Sequence, residues 1–224
     1  MTRSLAVLTI LLILAAPVSA LAEEFVDPHW IESPINFSAG FKFGLAFPGD
    51  DTVQEVYGSK GIPYYNIEAG WKIVHELELH WEWSYFWEQG RGVALTGEKT
   101  NEQYKLHVSP MELGLTYRFN FVYDQPIVPF LGAGGDFTYY FEERLESSLK
   151  NRGLLYGYMG KGGIMILLDN AEKRASGALE RQWGINNTYF IYSYKYVVAD
   201  RDFSDGDDLD LSHQAHSFGI LFEF

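Results

Sequence analysis

The chain has 224 residues, with 17 Lys or Arg against 30 Asp or Glu, so its formal net charge is −13. This balance argues against nucleic-acid binding, which requires a basic face. The sequence contains no Cys, which excludes disulfides, thiolate metal sites and a cysteine nucleophile. Aromatic residues make up 17% of the chain and glycines number 22. After the N-terminal segment, no apolar run approaches the roughly 18 residues of a transmembrane helix, so these features favour an all-β protein.

Residues 1–22 have the features of a secretory signal peptide. Arg3 provides a positive start, residues 5–16 are apolar, and Ala20-Leu21-Ala22 is a small-residue cleavage site. A single membrane anchor is the alternative, but the apolar run is short and ends in small residues. We therefore expect an exported chain in which 23–33 is a short periplasmic N-terminal segment.

From residue 35 onward, apolar side chains recur at every second position, as expected for β-strands. In the segment 35–47, Phe37 and Phe41 share one face, and Lys42 and Gly44 lie on the other. A bilayer-spanning strand needs roughly 9–11 residues, and this segment is long enough. The same alternation predicts seven further strands, at 64–74, 77–88, 103–121, 127–142, 154–168, 185–198 and 210–224.

Within 103–121 the apolar face changes sides. Apolar residues occupy even positions up to Val108 and odd positions from Met111 onward. The change falls at Ser109-Pro110, and Pro cannot donate a hydrogen bond to a sheet. This predicts a β-bulge at that point.

The connections between the predicted strands alternate in character. Short turns at one end and long loops at the other are typical of outer-membrane barrels, which also have an even number of strands. The long, polar connections are 48–63, 89–102, 143–153 and 199–209, the short ones are 74–76 and 120–126, and the sixth, 169–182, is longer and is expected to include a helical turn or two.

The two faces of the predicted strands differ in a way that indicates which one is wet. One face is almost continuously apolar and aromatic, and the interior of an eight-stranded barrel is only just wide enough for side chains. The apolar face is therefore expected to point outward, toward lipid, and the other face to fill the lumen. That inner face combines glycines with charges that are expected to pair: Lys42, Glu68, Lys72, Glu78, Glu82, Glu112, Arg118, Asp136, Lys161, Lys195 and Glu223.

These patterns predict an eight-stranded antiparallel up-and-down transmembrane β-barrel over residues 34–224. Because every backbone group in hydrocarbon needs a protein partner, an open sheet edge is forbidden, so the first strand must pair with the last. Aromatic girdles mark both membrane interfaces of such barrels. The residues expected in them are Trp81, Trp83, Trp87, Tyr117 and Phe119.

Three segments resemble the small OmpA/OmpX-like outer-membrane β-barrel family: residues 115–119, residues 129–137 with their glycines, and the C-terminal residues 218–224. In that family, the alternating apolar residues before a terminal Phe form the segment that the barrel-assembly machinery recognises. The resemblance implies the same role for Phe218, Ile220, Phe222 and Phe224. It specifies architecture and hardly any activity.

Two groups of residues suggest other functions, namely cation binding and lipid hydrolysis. Asp205, Asp207 and Asp208 lie in an acidic stretch that is a weak candidate for binding a divalent cation, although the spacing matches no EF-hand loop. Ser212, His213 and His216 suggest a lipid hydrolase. Four residues of strand separate Ser212 from His216 by roughly 13 Å, and Ser212 and His213 point to opposite faces, which leaves a partner from the first or seventh strand as the open alternative. No catalytic residue and no cofactor is therefore predicted.

The sequence thus predicts an integral protein of the outer membrane of a Gram-negative bacterium. Its expected role is structural, or a surface interaction through the extracellular loops, with a charge-filled lumen that does not conduct. A small channel or transporter is the alternative, and a lipid-modifying enzyme is a weaker one. The expected partners are outer-membrane lipid, including lipopolysaccharide, and the barrel-assembly machinery during biogenesis; no nucleic acid is expected, and the extracellular ligand is left open.

Overall fold

The computed structural model describes residues 35–58, 60–93, 99–122, 124–146, 150–169, 179–180, 182–202 and 209–224. The predicted signal peptide, the segment 23–33 and the acidic residues Asp205, Asp207 and Asp208 lie outside this part of the chain. The strands are β1 (Phe37–Pro48), β2 (Ile62–Lys72), β3 (Leu77–Val93), β4 (Lys99–Arg118), β5 (Ile127–Arg144), β6 (Lys150–Leu167), β7 (Asn187–Asp202) and β8 (His213–Glu223), and helix α1 (Asp51–Tyr57) joins β1 to β2.

The eight strands form one closed barrel. Each strand pairs with the next in the chain, and β1 pairs antiparallel with β8. At the closing seam, Phe41 of β1 lies opposite Ile67 of β2 on one side and Ile220 of β8 on the other. The predicted fold class is confirmed, and the closure leaves no strand edge unpaired, as a hydrocarbon environment requires.

Several strands are longer at the loop end than the sequence predicted. β3 continues to Val93 and β4 begins at Lys99, so the predicted loop 89–102 is mostly strand. The predicted connection 143–153 likewise shrinks to the residues between Arg144 and Lys150. Side chains on both faces are polar in these extensions, so the apolar alternation that marks a strand is lost there.

The predicted bulge at Ser109-Pro110 is wrong. The pairing of β4 with β5 runs without interruption from Tyr104 to Arg118, and Pro110 lies opposite Thr138. The apolar face changes sides because the inward positions of β4 are apolar near the loop end, where Leu106 and Val108 are buried inside the barrel.

Helix α1 lies at the loop end of the barrel. Asp50 caps its N-terminus, where the carboxylate accepts a hydrogen bond from the Val53 N–H at 2.9 Å. Gly58 ends the helix with φ of 97°, a backbone conformation that favours glycine. In the sixth connection, residues 179–180 and 182–183 are helical, and the Gly184 N–H donates to the Glu180 carbonyl. Among the described residues, no helix is long and apolar enough to span a membrane.

Glycines on the inner face allow the strands to approach one another closely. A Cβ atom at Gly44 would lie 1.8 Å from the carbonyl oxygen of His216, and one at Gly219 would lie 1.9 Å from that of Phe41. Both contacts are with backbone, which cannot move without breaking the ladder between β1 and β8. The closing seam therefore requires glycine at these positions.

Candidate functional site: the lumen and its two ends

The outward side chains of the barrel are largely apolar, and many large ones are exposed. At its loop-side edge, aromatic rings form a continuous belt across β2 to β5: Tyr65 stacks on Trp87 with ring centroids 6.1 Å apart, and the Tyr85 and Trp87 centroids are 5.7 Å apart. Tyr85 shares a hydrogen bond of 2.6 Å with Nδ1 of His107, whose ring lies beside Phe141. The belt thus satisfies polar ring atoms on the lipid side, as interfacial aromatics require.

A second belt lies at the turn-side edge. Tyr117 and Phe119 contact edge-on with centroids 5.1 Å apart, and Phe37 lies 6.2 Å from Phe224 across the closing seam. Of the other girdle candidates, Trp87 belongs to the loop-side belt. The remaining two are on the same outward row of β3: Trp83 stacks with Tyr85 and donates to the Ser109 hydroxyl, while Trp81 lies between the two belts.

The C-terminal residues of the predicted assembly signal line the outer wall of β8. Phe218 is exposed and contacts the Phe43 ring, Ile220 and Phe222 point outward on the same row, and Phe224 lies at the turn-side edge. The four side chains therefore share one lipid-facing row in the folded barrel. Their role in assembly remains a prediction.

The inner wall carries all eleven charges that the sequence placed there, and each is buried or nearly so. They form two clusters at different heights. We call the larger one the central cluster: Lys42, Glu68, Glu82, Glu112, Asp136, Lys161 and Lys195. We call the other the turn-side cluster: Lys72, Glu78, Arg118 and Glu223.

The acidic members of the central cluster form a row across four neighbouring strands. Glu68 of β2 lies directly opposite Glu82 of β3, Glu82 lies opposite Glu112 of β4, and Glu112 lies opposite Asp136 of β5. The register thus places four carboxylates side by side on one wall of the lumen. The lysines come from three of the four strands that complete the circle, namely β6, β7 and β1.

Glu82 is the hub of this arrangement and is fully buried. Lys195 donates to its Oε2 at 2.7 Å, Lys42 does so at 3.4 Å, and Lys161 forms a short ion pair with its Oε1. Lys195 also donates to Glu112 at 2.5 Å, and Lys42 donates to Glu68 at 2.9 Å. The three lysines therefore cross the bore and tie β1, β6 and β7 to β2, β3 and β4.

The turn-side cluster is built around Arg118. Its guanidinium donates to Glu78 Oε2 at 2.5 Å and forms a second, short ion pair with Glu223. Lys72 also pairs with Glu223 at 2.7 Å, and Ser38 donates to Glu78 at 2.9 Å. Two cations thus meet two carboxylates in a geometry that suits the planar donor fork of arginine.

Two apolar clusters inside the barrel were not predicted. Along β3 the inward side chains run from Glu78 through Glu82 to Phe86, and the apolar residues begin at the loop end. The loop-side group is Ala46, Val53, Ile62, Tyr64, Phe86, Leu106, Val108, Tyr140, Leu155, Met159, Val197, Ala199, Leu211 and Ala215. A turn-side group on β5 to β8 is Val128, Phe130, Met165, Leu167, Tyr189, Ile191 and Leu221.

The sequence held a signal for these clusters. Segments such as Leu106-His107-Val108 are apolar at inward positions, and this appeared as a change of parity within one strand. Near the loop end of β4 the inward positions are apolar and the outward positions, such as Lys105 and His107, are polar, so the alternation continues with its faces exchanged. The pattern predicts a bulge only if the inner face is taken to be polar along its whole length.

Helix α1 packs over the loop-side apolar group. Val53 is buried in it, and the Tyr57 hydroxyl donates a short hydrogen bond to Glu142 of β5. Burial, together with this hydrogen bond, raises the pKa of Tyr57 above its usual value. A cavity of about 20 Å³ lies beneath the helix, which is space for about one water molecule.

The residues that suggested a lipid hydrolase do not form a pair of nucleophile and base. Ser212 accepts a hydrogen bond from the Ala199 N–H, His213 points inward and bonds the Leu211 carbonyl, and His216 points outward to Tyr192. Among the described residues, no group of three or more His, Asp or Glu side chains could hold a metal ion.

No family model and no curated protein sequence matches this chain. Solved structures do match. The outer membrane protein OprG from Pseudomonas aeruginosa is 15% identical with a TM-score of 0.60, over 86% of this chain and 97% of that one. Together with the closed barrel and its lipid-facing belts, this likeness settles the fold. This chain has the fold of the small outer-membrane β-barrels.

Two further structures have weaker likeness to this barrel. Neisserial surface protein A is 15% identical with a TM-score of 0.49, over 86% of this chain and 98% of that one. The N-terminal β-barrel domain of Pseudomonas aeruginosa OprF is 13% identical with a TM-score of 0.47, over 86% of this chain and 100% of that one. At these identities the likeness concerns the fold alone.

Proposed function

We propose that this barrel is a non-conducting protein of the outer membrane that acts at its loop end, as a structural or surface-interaction protein. The observation that carries the proposal is the packed lumen. Two apolar clusters and two ion-pair clusters fill the bore, and a cavity between them that Glu68, Arg118 and Phe130 help to line measures about 10 Å³. That space is at most the size of one water.

The shape of the loop end supports a role there. At about 3.3 Å per residue and a tilt of about 40°, the 20 residues of β4 rise about 50 Å, roughly twice the apolar band of such a barrel. Its outward positions beyond His107 are polar, including Lys105 and Gln103. Rigid hairpins that project from the membrane suit contact with other molecules.

Planar-bilayer recording tests the closed lumen. We expect no large, steady, open conductance from the purified barrel, and we expect Lys42→Ala and Arg118→Ala to lower its stability without producing selective current. A steady open conductance that either substitution changes would contradict the proposal and favour a small channel.

The absence of Cys allows the placement of the barrel to be tested by labelling single-cysteine variants in intact cells. Gln103→Cys lies on the projecting wall, His75→Cys lies in the short turn between β2 and β3, and Leu115→Cys faces lipid. We expect a membrane-impermeant maleimide to label the first on intact cells, the second only after the membrane is permeabilised, and the third in neither case. Labelling of His75→Cys on intact cells would show that the barrel has the opposite orientation in the membrane.

A lipid-modifying activity is a separate outcome. Mass spectrometry of lipid A from cells with and without the protein is expected to give the same spectrum. A changed spectrum would overturn the non-catalytic proposal.

A further inference from the structure

The central cluster contains one carboxylate more than it has cations. Lys42, Lys161 and Lys195 face the four carboxylates of the acidic row. The turn-side cluster is balanced, because Lys72 and Arg118 pair with its two carboxylates. The surplus negative charge therefore belongs to the central cluster, in a narrow bore where an uncompensated buried charge is costly.

The surplus can be located at one end of the acidic row. Asp136 is fully buried and, among the described residues, takes part in no ion pair. Its Oδ2 accepts a hydrogen bond of 2.7 Å from the Thr138 hydroxyl, but its Oδ1 has no partner. Its neighbour across the ladder, Glu112, is bonded through Oε2 to Lys195, and its Oε1 also has no partner.

Glu112 and Asp136 are directly paired on β4 and β5, and both side chains point into the lumen. Cβ atoms of such a pair lie about 4.5–5.5 Å apart. Two ionised carboxylates at that separation repel each other and contain only acceptors. A single proton removes the repulsion, neutralises the surplus charge and converts two unpartnered acceptors into one donor and one acceptor.

We propose that Glu112 and Asp136 form a proton-binding site that holds one shared proton at neutral pH. The proton is on Oδ1 of Asp136 and is donated to Oε1 of Glu112, because Glu112 already has a lysine partner and Asp136 does not. With this proton bound, the central cluster has three negative and three positive charges. The central and turn-side clusters together are then neutral.

His80 is the competing site for a compensating charge, since its imidazole lies on the same inner wall of β3. Its Nδ1 is bonded to the Thr116 hydroxyl, and its Nε2 has no partner. A proton on Nε2 would be a buried donor without an acceptor, which is unfavourable. The other charged or titratable groups of the central bore that face the pair are Tyr64 on β2, Glu82 on β3, Lys161 on β6 and Lys195 on β7.

Isotope-edited infrared spectroscopy of the barrel in lipid vesicles tests the site directly. With ¹³C-labelled aspartate, we expect a band from one protonated, buried carboxyl group at neutral pH, and we expect Asp136→Asn to abolish it. The wild-type measurement does not depend on whether a variant folds. The absence of a protonated carboxyl band at neutral pH, or a protonated His80 imidazole in an ¹⁵N spectrum, would overturn the proposal.

The pH dependence of unfolding provides a second test. Ordinary Asp and Glu carboxyls are ionised at neutral pH, with pKa values of about 3.9 and 4.3, so the unfolded chain holds no proton at these groups. The folded state then binds one proton more, and its stability falls as pH rises. We expect the ratio of folded to unfolded barrel to fall up to tenfold more per pH unit above neutrality for the wild type than for Asp136→Asn.

Asp136→Asn also distinguishes between a proton and a metal cation as the species bound at this site. An amide replaces the protonated acid and can still donate to Glu112, so we expect this variant to match the wild type at neutral pH. The matched control is Glu78→Gln in the balanced turn-side cluster, which should destabilise the barrel while leaving the carboxyl band intact. A loss of stability in Asp136→Asn, or wild-type stability that depends on the identity of the monovalent cation, would show that a cation and not a proton occupies the site.

Discussion

In the turn-side cluster, the fork of Arg118 and the amine of Lys72 meet two carboxylates, so every charge has an opposite partner within the cluster. In the central cluster, three lysines converge on Glu82 while Asp136 has none of them. The difference follows from the register. Asp136 on β5 lies beside β6, but the residue opposite it there is Gly157, and Lys161 lies opposite Gly132, four residues away along β5. Lys161 is therefore at another height and pairs with Glu82 instead.

This comparison shows that position within a cluster matters more than the number of ion pairs. Buried ion pairs do not guarantee stability, because desolvation offsets their attraction, whereas removing one partner leaves an uncompensated charge. Replacing a buried carboxylate that has several ionic partners by an amide should therefore lower the free energy of unfolding strongly. The same replacement at a carboxylate with no ionic partner should lower it little.

The largest effect is expected at the hub. Glu82→Gln leaves Lys161 without its nearest carboxylate and adds a positive charge to the balance of the central cluster. We expect a loss of about 3–5 kcal/mol in the free energy of unfolding, as for a broken buried pair. Urea unfolding in vesicles, followed by tryptophan fluorescence, measures it. A loss no larger than that of Asp136→Asn would show that Glu82, at the hub, contributes no more to stability than Asp136, at the end of the acidic row.

A smaller effect is expected in the turn-side cluster. Glu78→Gln removes one charge next to Arg118, but Glu223 remains and the amide oxygen can still accept from the guanidinium. We expect a loss of about 1.5–3 kcal/mol in the free energy of unfolding, measured in the same way. A loss equal to that of Glu82→Gln would mean that the second carboxylate offers no compensation.

The sequence could predict the barrel and the inward direction of its charges because both depend on period two. Lys42 and Glu82 alternate with lipid-facing rings along strands with clear patterns. Their neighbours across the barrel could not be predicted from that pattern. Whether Glu112 lies beside Asp136 is set by the length of the turn between β4 and β5, and a shift of one residue would reverse the faces.

The apolar parts of the lumen were missed for a different reason. Tyr64 and Phe86 are apolar residues at inward positions near the loop end, where the neighbouring outward positions are also aromatic. A strand with apolar side chains on both faces has no alternation to detect. The projecting ends of β3 to β6 were missed because both of their faces are largely polar, which gives the same loss of contrast.

A more modest effect is expected beside Asp136. Thr138→Val keeps the shape of the side chain but removes the hydroxyl that donates to Oδ2. We expect a loss of about 1 kcal/mol in the free energy of unfolding and a shifted carboxyl band in the infrared spectrum. Thr116→Val is the matched control, because its hydroxyl bonds His80; it should cost a similar amount and leave the band in place.

The smallest effect is expected at the loop end, where Tyr57 joins α1 to β5. Tyr57→Phe removes the hydrogen bond to Glu142, and we expect a loss of about 0.5–1.5 kcal/mol. Because the pKa of Tyr57 is raised, the folded state keeps the phenol proton at pH values where the unfolded chain, with a pKa of about 10, releases it. The hydrogen bond therefore contributes below that pH and its contribution disappears as pH rises further. The difference in phenolate absorbance between wild type and Tyr57→Phe should appear only well above pH 10, and a difference that titrates at about the usual tyrosine value would show that α1 is not docked on the barrel.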